Sequence, residues 1–176
     1  IQCALALRGC RITNHCSYKT VATTRDAERL MAHFSQLKPA LLHVAIKRLA
    51  TGTGTGSDRS RLWNLVKVAQ DQLNRGGSLI ISGTSRSNVW ELPSVQQLCA
   101  HPQLNSTTHR WCRMQIRDPV SDLPSSTSTR VIASFPVQAG DTCDCADHAQ
   151  NGHATYNRSE FESVNNYLAN LMLKSF

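Results

Sequence analysis

The sequence predicts an α/β layer fold, and three apolar runs of strand length predict it. Residues 40–46 (ALLHVAI), 78–82 (SLIIS) and 130–135 (RVIASF) are short and nearly continuous in apolar character. Such runs suit strands covered on both faces, as in a parallel sheet, because they do not alternate with polar residues. Segments of helical period lie between them. Strands alternating with helices at this spacing give an open sheet with helices on both faces.

The elements follow in order. Residues 1–9 read as the end of a helix closed by Gly9, and 10–18 (CRITNHCSY) as a short extended segment. Thr24, with Arg25, Asp26, Ala27 and Glu28, marks a helix start with early acidic residues. Leu30, Met31, Phe34 and Leu37 keep helical spacing until Pro39. After the first strand, 51–57 (TGTGTGS) is a glycine loop, and Asp58 or Ser60 can cap a helix carrying Leu62, Leu65, Val66, Ala69 and Leu73 on one face. Gly76 and Gly77 stop it before the second strand. A short helix is predicted around 92–100, an extended stretch over 107–116, and polar turns over 118–128. The third strand and an amphipathic helix over 159–173 close the chain, and 137–158 reads as an irregular or metal-binding loop.

Composition bounds the function classes. The chain has 176 residues, 40% hydrophobic and 18% charged, which suits one folded domain over 1–176 rather than a disordered tail. No apolar run approaches the roughly 20 residues of a bilayer span, and no repeat is present. Nineteen Lys and Arg against twelve Asp and Glu give +7, a balance that favours nucleic acid or an acidic protein surface. The cations are dispersed. Arg59 with Arg61 and Arg110 with Arg113 are the pairs that could meet phosphate or an acidic partner, the plain alternative being a solvated basic surface. Seven cysteines are an odd number for a disulfide framework. Cys3, Cys10, Cys16, Cys99 and Cys112 lie in or beside apolar segments, where cysteine acts as a small hydrophobe. The expected setting is intracellular and reducing, with nucleus and organelle not distinguished. Sequons at Asn105 and Asn157 matter only in a secreted chain. The first residue is Ile, so the natural start is expected to have been lost to processing or to lie outside this segment.

Two segments invite a chemical assignment. The glycine loop sits between a strand and a helix, where amides cradle phosphate. It lacks the Lys-Ser/Thr of a P-loop, and its third glycine is one place short of the dinucleotide spacing, so it reads as a low-complexity loop. The second segment, polar overall, carries Cys143, Cys145, His148 and His153 within eleven residues. Thiolate and imidazole are zinc's preferred donors, and four of them close a tetrahedral structural site. Cys112 is a substitute ligand for either histidine. The alternative is a surface loop with reactive thiols. His33 and His43 fall on apolar elements and read as core histidines; Trp63, Trp90 and Trp111 read as core or domain-edge anchors. No nucleophile elbow of the Gly-x-Ser-x-Gly kind is present.

Residues 75–93 (RGGSLIISGTSRSNVWELP) carry a more specific pattern. A helix ending in glycines leads to a strand, then a serine, a tryptophan and a short helix. Trp111 and Cys112, Leu123 and Pro124 before Thr129, the Cys143/Cys145/His148 loop and the entry at Tyr156 follow in order. Over about residues 38–176 this resembles a divergent methyltransferase-like domain of retroelement polyproteins, distantly akin to the C5-cytosine DNA methyltransferases. The resemblance implies a Rossmann-like sheet whose first strand, with the S-adenosylmethionine loop, would precede Ile1. The departures fall on the chemistry. Active members carry a Pro-Cys nucleophile after the strand matching 40–46, where this chain has Lys47, Arg48, Leu49 and Ala50. The Glu-Asn-Pro position reads Ser82, Gly83, Thr84. Cytosine methylation needs a thiolate to add to the ring and an acid to assist it, and both are missing.

The expectation is therefore a non-catalytic methyltransferase-fold domain serving as a structural or interaction subunit of a larger protein assembly, with no cofactor other than a structural zinc. Embedding in an assembly would leave exposed hydrophobics beside Trp63 and Trp90. A nucleic-acid-binding module of retroelement origin and an S-adenosylmethionine-dependent enzyme with an atypical site are the alternatives.

Overall fold

The computed structural model describes residues 21–46, 56–118, 121–137, 143–148 and 169–170. The expected helix over 1–9, the segment 10–18, glycines 52 and 54, His153 and Asn157 lie outside the described residues. So does the predicted terminal helix, apart from Ala169 and Asn170, which are helical.

Helix α1 (Thr24–Leu37) begins one residue earlier in its capping than the acidic cluster suggests. The cap is Thr23: its hydroxyl oxygen accepts the Asp26 amide at 3.2 Å, and the Asp26 carboxylate accepts the Thr23 amide at 2.9 Å. Each side chain thus satisfies an amide that the helix cannot. The Thr23 hydroxyl and amide hold the Asp26 carboxyl below its ordinary range. At the other end Lys38 turns left-handed (φ 46°), donating its amide to the Phe34 carbonyl, and Pro39 follows. Ala27, Leu30 and Phe34 face inward. His33 is exposed, correcting the expectation of a core histidine there: it lies one residue, about 100° of helix, away from Phe34.

Strand β1 (Leu41–Ile46) pairs in parallel with β2 (Ser78–Thr84), Leu42 opposite Leu79 and Val44 opposite Ile81. Helix α2 (Gly56–Asn74) connects them and α3 (Pro93–Cys99) follows β2. Strands β3 (Asn105–Arg110) and β4 (Ser128–Ala133) complete an open sheet of order β1-β2-β4-β3. The architecture is a Rossmann-like open α/β fold. β2 is the buried strand its composition predicts: Leu79, Ile80 and Ile81 are at most 1% exposed. β1 differs, with only Val44 buried and Ala45 exposed, because it ends the strand order among the described residues instead of lying inside it.

The described residues divide into two compact units, one within 13–106 and 131–135, the other within 107–130 and 136–176; the boundary falls inside β3 and β4. In the first unit, Val44, Leu79, Ile81 and Ile132 of the sheet pack with Leu62, Ala69 and Leu73 of α2 and Val95 and Leu98 of α3. α1 joins the same side through Val68 and Leu42. Ile80 on the opposite face is fully buried too, so β2 is covered on both faces. Burying each such side chain stabilises by about 1.5–3 kcal/mol. Two buried amides among the helix residues are satisfied: Asn64 donates to the Val21 carbonyl at 3.1 Å and Gln72 to that of Pro39 at 2.8 Å.

α2 starts at Gly56, so Asp58 lies in its first turn and does not cap it, while the Ser60 hydroxyl donates back to the Gly56 carbonyl. Between β2 and α3 a 3-10 turn, Asn88–Glu91, buries Trp90, whose indole N–H donates to the Thr84 carbonyl at 2.8 Å. Trp90 is 6% exposed, which corrects the expectation of an exposed apolar surface beside it; Trp63, 46% exposed, keeps that role with the Lys67 ammonium over its ring.

In the second unit the predicted extended stretch over 107–116 stops at Arg110. The next residues tighten into a 3-10 turn, Trp111–Met114, ended by Gln115 in the left-handed region (φ 60°). Trp111 drives the change: it turns inward, is 3% exposed, and donates its indole N–H to Thr129 Oγ1 at 2.7 Å. No helix among the described residues is long and apolar enough to cross a membrane.

Candidate metal centre

Four potential ligands converge in the second unit. Cys112 Sγ, Cys143 Sγ, Cys145 Sγ and an imidazole nitrogen of His148 all lie within 4.8 Å of one another. Cys112 Sγ is 3.2 Å from Cys143 Sγ, which in turn is 3.0 Å from His148 Nε2.

The Cys112 corner is built on a braced turn. Beside the indole bond, the Trp111 amide donates to the Thr127 carbonyl at 2.9 Å, and the Gln115 amide closes the turn on the Cys112 carbonyl at 3.0 Å. Downstream, Arg117 and Pro124 form an antiparallel bridge, and the Ser125 amide returns to the Ile116 carbonyl. Buried Asp118 accepts from the Ser121 amide and hydroxyl at 2.9 and 3.0 Å, closing this hairpin. The other three donors come from one short segment, 143–148. Two-residue spacing lets the Cys145 amide point at Cys143 Sγ, 3.4 Å away. Arg113 and Asp144 pair at 3.0 Å, joining the same two segments one residue further on. Both side chains are well exposed, so this pair adds little stability.

The electrostatics are those of thiols sharing protons. The Cys145 amide, then the Cys112 thiol, pull the Cys143 thiol down to about 7. Burial, and then hydrogen bonding to Cys143, pushes Cys112 up to about 12. Cys145 is raised by its contact with Cys143. Without metal, Cys143 ionises first and its neighbours keep their protons; a divalent cation reverses this by making thiolates of all three.

The donor set and its size fit zinc. Zn–S bonds of about 2.3 Å set sulfur–sulfur edges of about 3.8 Å in a tetrahedron, a length between the 3.2 Å that separates Cys112 from Cys143 and the 4.8 Å limit of the cluster, so filling it takes shifts of under roughly 1 Å. Three sulfurs and one imidazole favour zinc over magnesium or calcium, which take oxygen. A zinc ion taking all four would have no coordination position left for a substrate.

Three of the four sequence-predicted ligands, Cys143, Cys145 and His148, stand in the cluster. The fourth corner is Cys112, the substitute ligand; His153 lies outside the described residues. Cys112, beside apolar neighbours in sequence, is half-buried and stands among the potential donors of this cluster. Of the arginine pairs, Arg113 is engaged with Asp144, and Arg61 sits 3.7 Å from Asp58. Arg110 is exposed on β3 and Arg59 on α2.

His43, on β1, is hydrogen-bonded through Nε2 to Ser82 Oγ at 2.8 Å. Burial lowers its pKa to about 4, so it stays neutral near pH 7. The half-buried imidazole is thus satisfied by hydrogen bonding, as expected at this position. No family model, curated protein or solved structure matches the chain.

Proposed function

We propose that the chain is a non-catalytic α/β module, stabilised by one structural zinc ion, that serves as an interaction subunit of a larger assembly. The observation that carries it is the convergence of Cys112, Cys143, Cys145 and His148, four protein donors in a single cluster. Closed sites of this kind supply folding energy and leave no open position for chemistry.

Support for a non-catalytic role comes from the carboxyl end of β2. If the domain descends from a methyltransferase-like ancestor, the Glu-Asn-Pro triplet would stand at Ser82–Thr84, with the catalytic glutamate at Ser82. A Cβ at Gly83 would lie 2.8 Å from the Ile46 carbonyl oxygen and 3.2 Å from Trp90 Cζ2. Packing thus leaves no room for a side chain at the second position of that triplet, and at the first Ser82 is buried with its hydroxyl hydrogen-bonded to His43. Half-exposed Trp63 under Lys67 offers an apolar and cationic contact of the sort protein interfaces favour.

The deciding experiment compares Cys112→Ser with Cys99→Ser in metal content and thermal stability. Loss of zinc and a lower melting temperature in the first variant alone is the expected result; equal behaviour removes the zinc-held module. The +7 charge favours a second reading, nucleic-acid binding, whose mark is affinity that falls steeply with salt as counterions are released.

A further inference from the structure

Cys112 and Cys143 are 31 residues apart in sequence, yet their sulfurs are 3.2 Å apart. A disulfide has its sulfurs at about 2.05 Å, so closing one here requires an approach of roughly 1 Å. Both thiols are partly exposed, within reach of a small oxidant. Cys145 is a poorer partner for Cys143, because a disulfide across one intervening residue closes a small ring that departs from relaxed geometry. Cys112 is also the one sulfur donor that does not come from segment 143–148. Removing it together with Cys143 leaves only Cys145 and His148.

We propose that Cys112 and Cys143 form a reversible disulfide on exposure to a peroxide, and that its closure ejects the zinc ion. The proposal rests on the zinc-held module above. One thiolate attacks a peroxide oxygen; the O–O bond breaks, a hydroxide leaves and takes up a proton as water, and the sulfur becomes a sulfenic acid. The second thiolate attacks that sulfur; the S–S bond forms, the S–O bond breaks, and the departing hydroxide takes up the second proton. Two thiolates, one hydrogen peroxide and two protons give one disulfide and two waters. The sulfurs lose two electrons and the peroxide oxygens gain them. Disulfide sulfur is no longer a thiolate donor, so two of the four ligands vanish in one event. A dithiol reductant returns the two electrons and restores the site.

The test uses the full chain, reduced and loaded with zinc, titrated with hydrogen peroxide. Released zinc is read with a colorimetric chelator and the disulfide is mapped by mass spectrometry of proteolytic peptides. The same mapping is run on the metal-free reduced chain. The expected result is a peptide pair containing Cys112 and Cys143, zinc release in proportion to it, and reversal of both by dithiothreitol. Cys145→Ser still forms the Cys112–Cys143 link; Cys112→Ser does not. Zinc retained after the link has closed, release without the link, or linkage chiefly to Cys145 or Cys99 overturns the proposal. A chain that takes up no zinc before peroxide is added overturns the zinc-held module and the ejection with it. Mapping on the metal-free chain then shows separately whether the two sulfurs couple.

Discussion

Trp111 donates its indole N–H to Thr129 Oγ1 at 2.7 Å, and both residues are at most 4% exposed. The bond fixes the turn that carries Cys112 against β4, so a donor on one segment is held ready for the three on another. Replacing Thr129 with Val keeps the shape and removes the acceptor, leaving a buried indole N–H without its partner. The expected cost is about 1–3 kcal/mol in urea unfolding of the metal-free chain. Zinc affinity falls as well, since the Cys112 corner loses its brace. An unchanged urea midpoint and affinity would show that the turn is held elsewhere.

Gly83→Ala tests the packing at the end of β2. The added methyl meets a backbone oxygen and the edge of a buried indole, neither of which moves freely. A loss of about 1–3 kcal/mol is expected, read as a drop of several degrees in a thermal melt. A neutral effect would mean that this end of the sheet has room for a larger side chain.

His43 makes stability depend on pH. Its folded pKa of about 4 lies below the unfolded reference of 6.5, because burial disfavours the imidazolium. Between those values the unfolded chain binds a proton that the folded chain refuses. Stability is therefore complete above about pH 6.5, declines as pH falls toward 4, and loses no more from this group below that. His43→Gln is expected to flatten this part of the profile in urea titrations. A profile unchanged by the substitution would assign the dependence to other groups.

Thr23→Ala removes the hydroxyl half of the capping box, while the backbone amide at residue 23 still reaches the Asp26 carboxylate. About 1 kcal/mol is expected from helix α1, with no effect on metal content. The measurement is urea unfolding alongside zinc analysis of the same samples.

Much of the architecture was legible because it rests on local periodicity. The apolar run 78–82 marks β2, and the Leu62-to-Leu73 stripe marks α2, since both patterns record which face is covered. The two 3-10 turns left no such trace: four residues cannot show a period, and Trp111 and Cys112 look like strand residues until Thr129 is known to face them. The same division holds for the metal centre. Cys143, Cys145 and His148 announce themselves by spacing within one segment. Cys112 is recruited from 31 residues away by the fold, and sequence spacing carries no record of that proximity beyond naming it a substitute ligand. His33 shows a third limit, because membership of an apolar helix does not say which way one residue points.

The most direct test of the zinc-held module is metal analysis of the purified chain by mass spectrometry, with zinc-edge X-ray absorption on the same sample. Roughly one zinc per chain in a shell of three sulfurs and one nitrogen, lost in Cys112→Ser, is the predicted result. A chain folded with substoichiometric zinc, or a shell of oxygen and nitrogen, would contradict it.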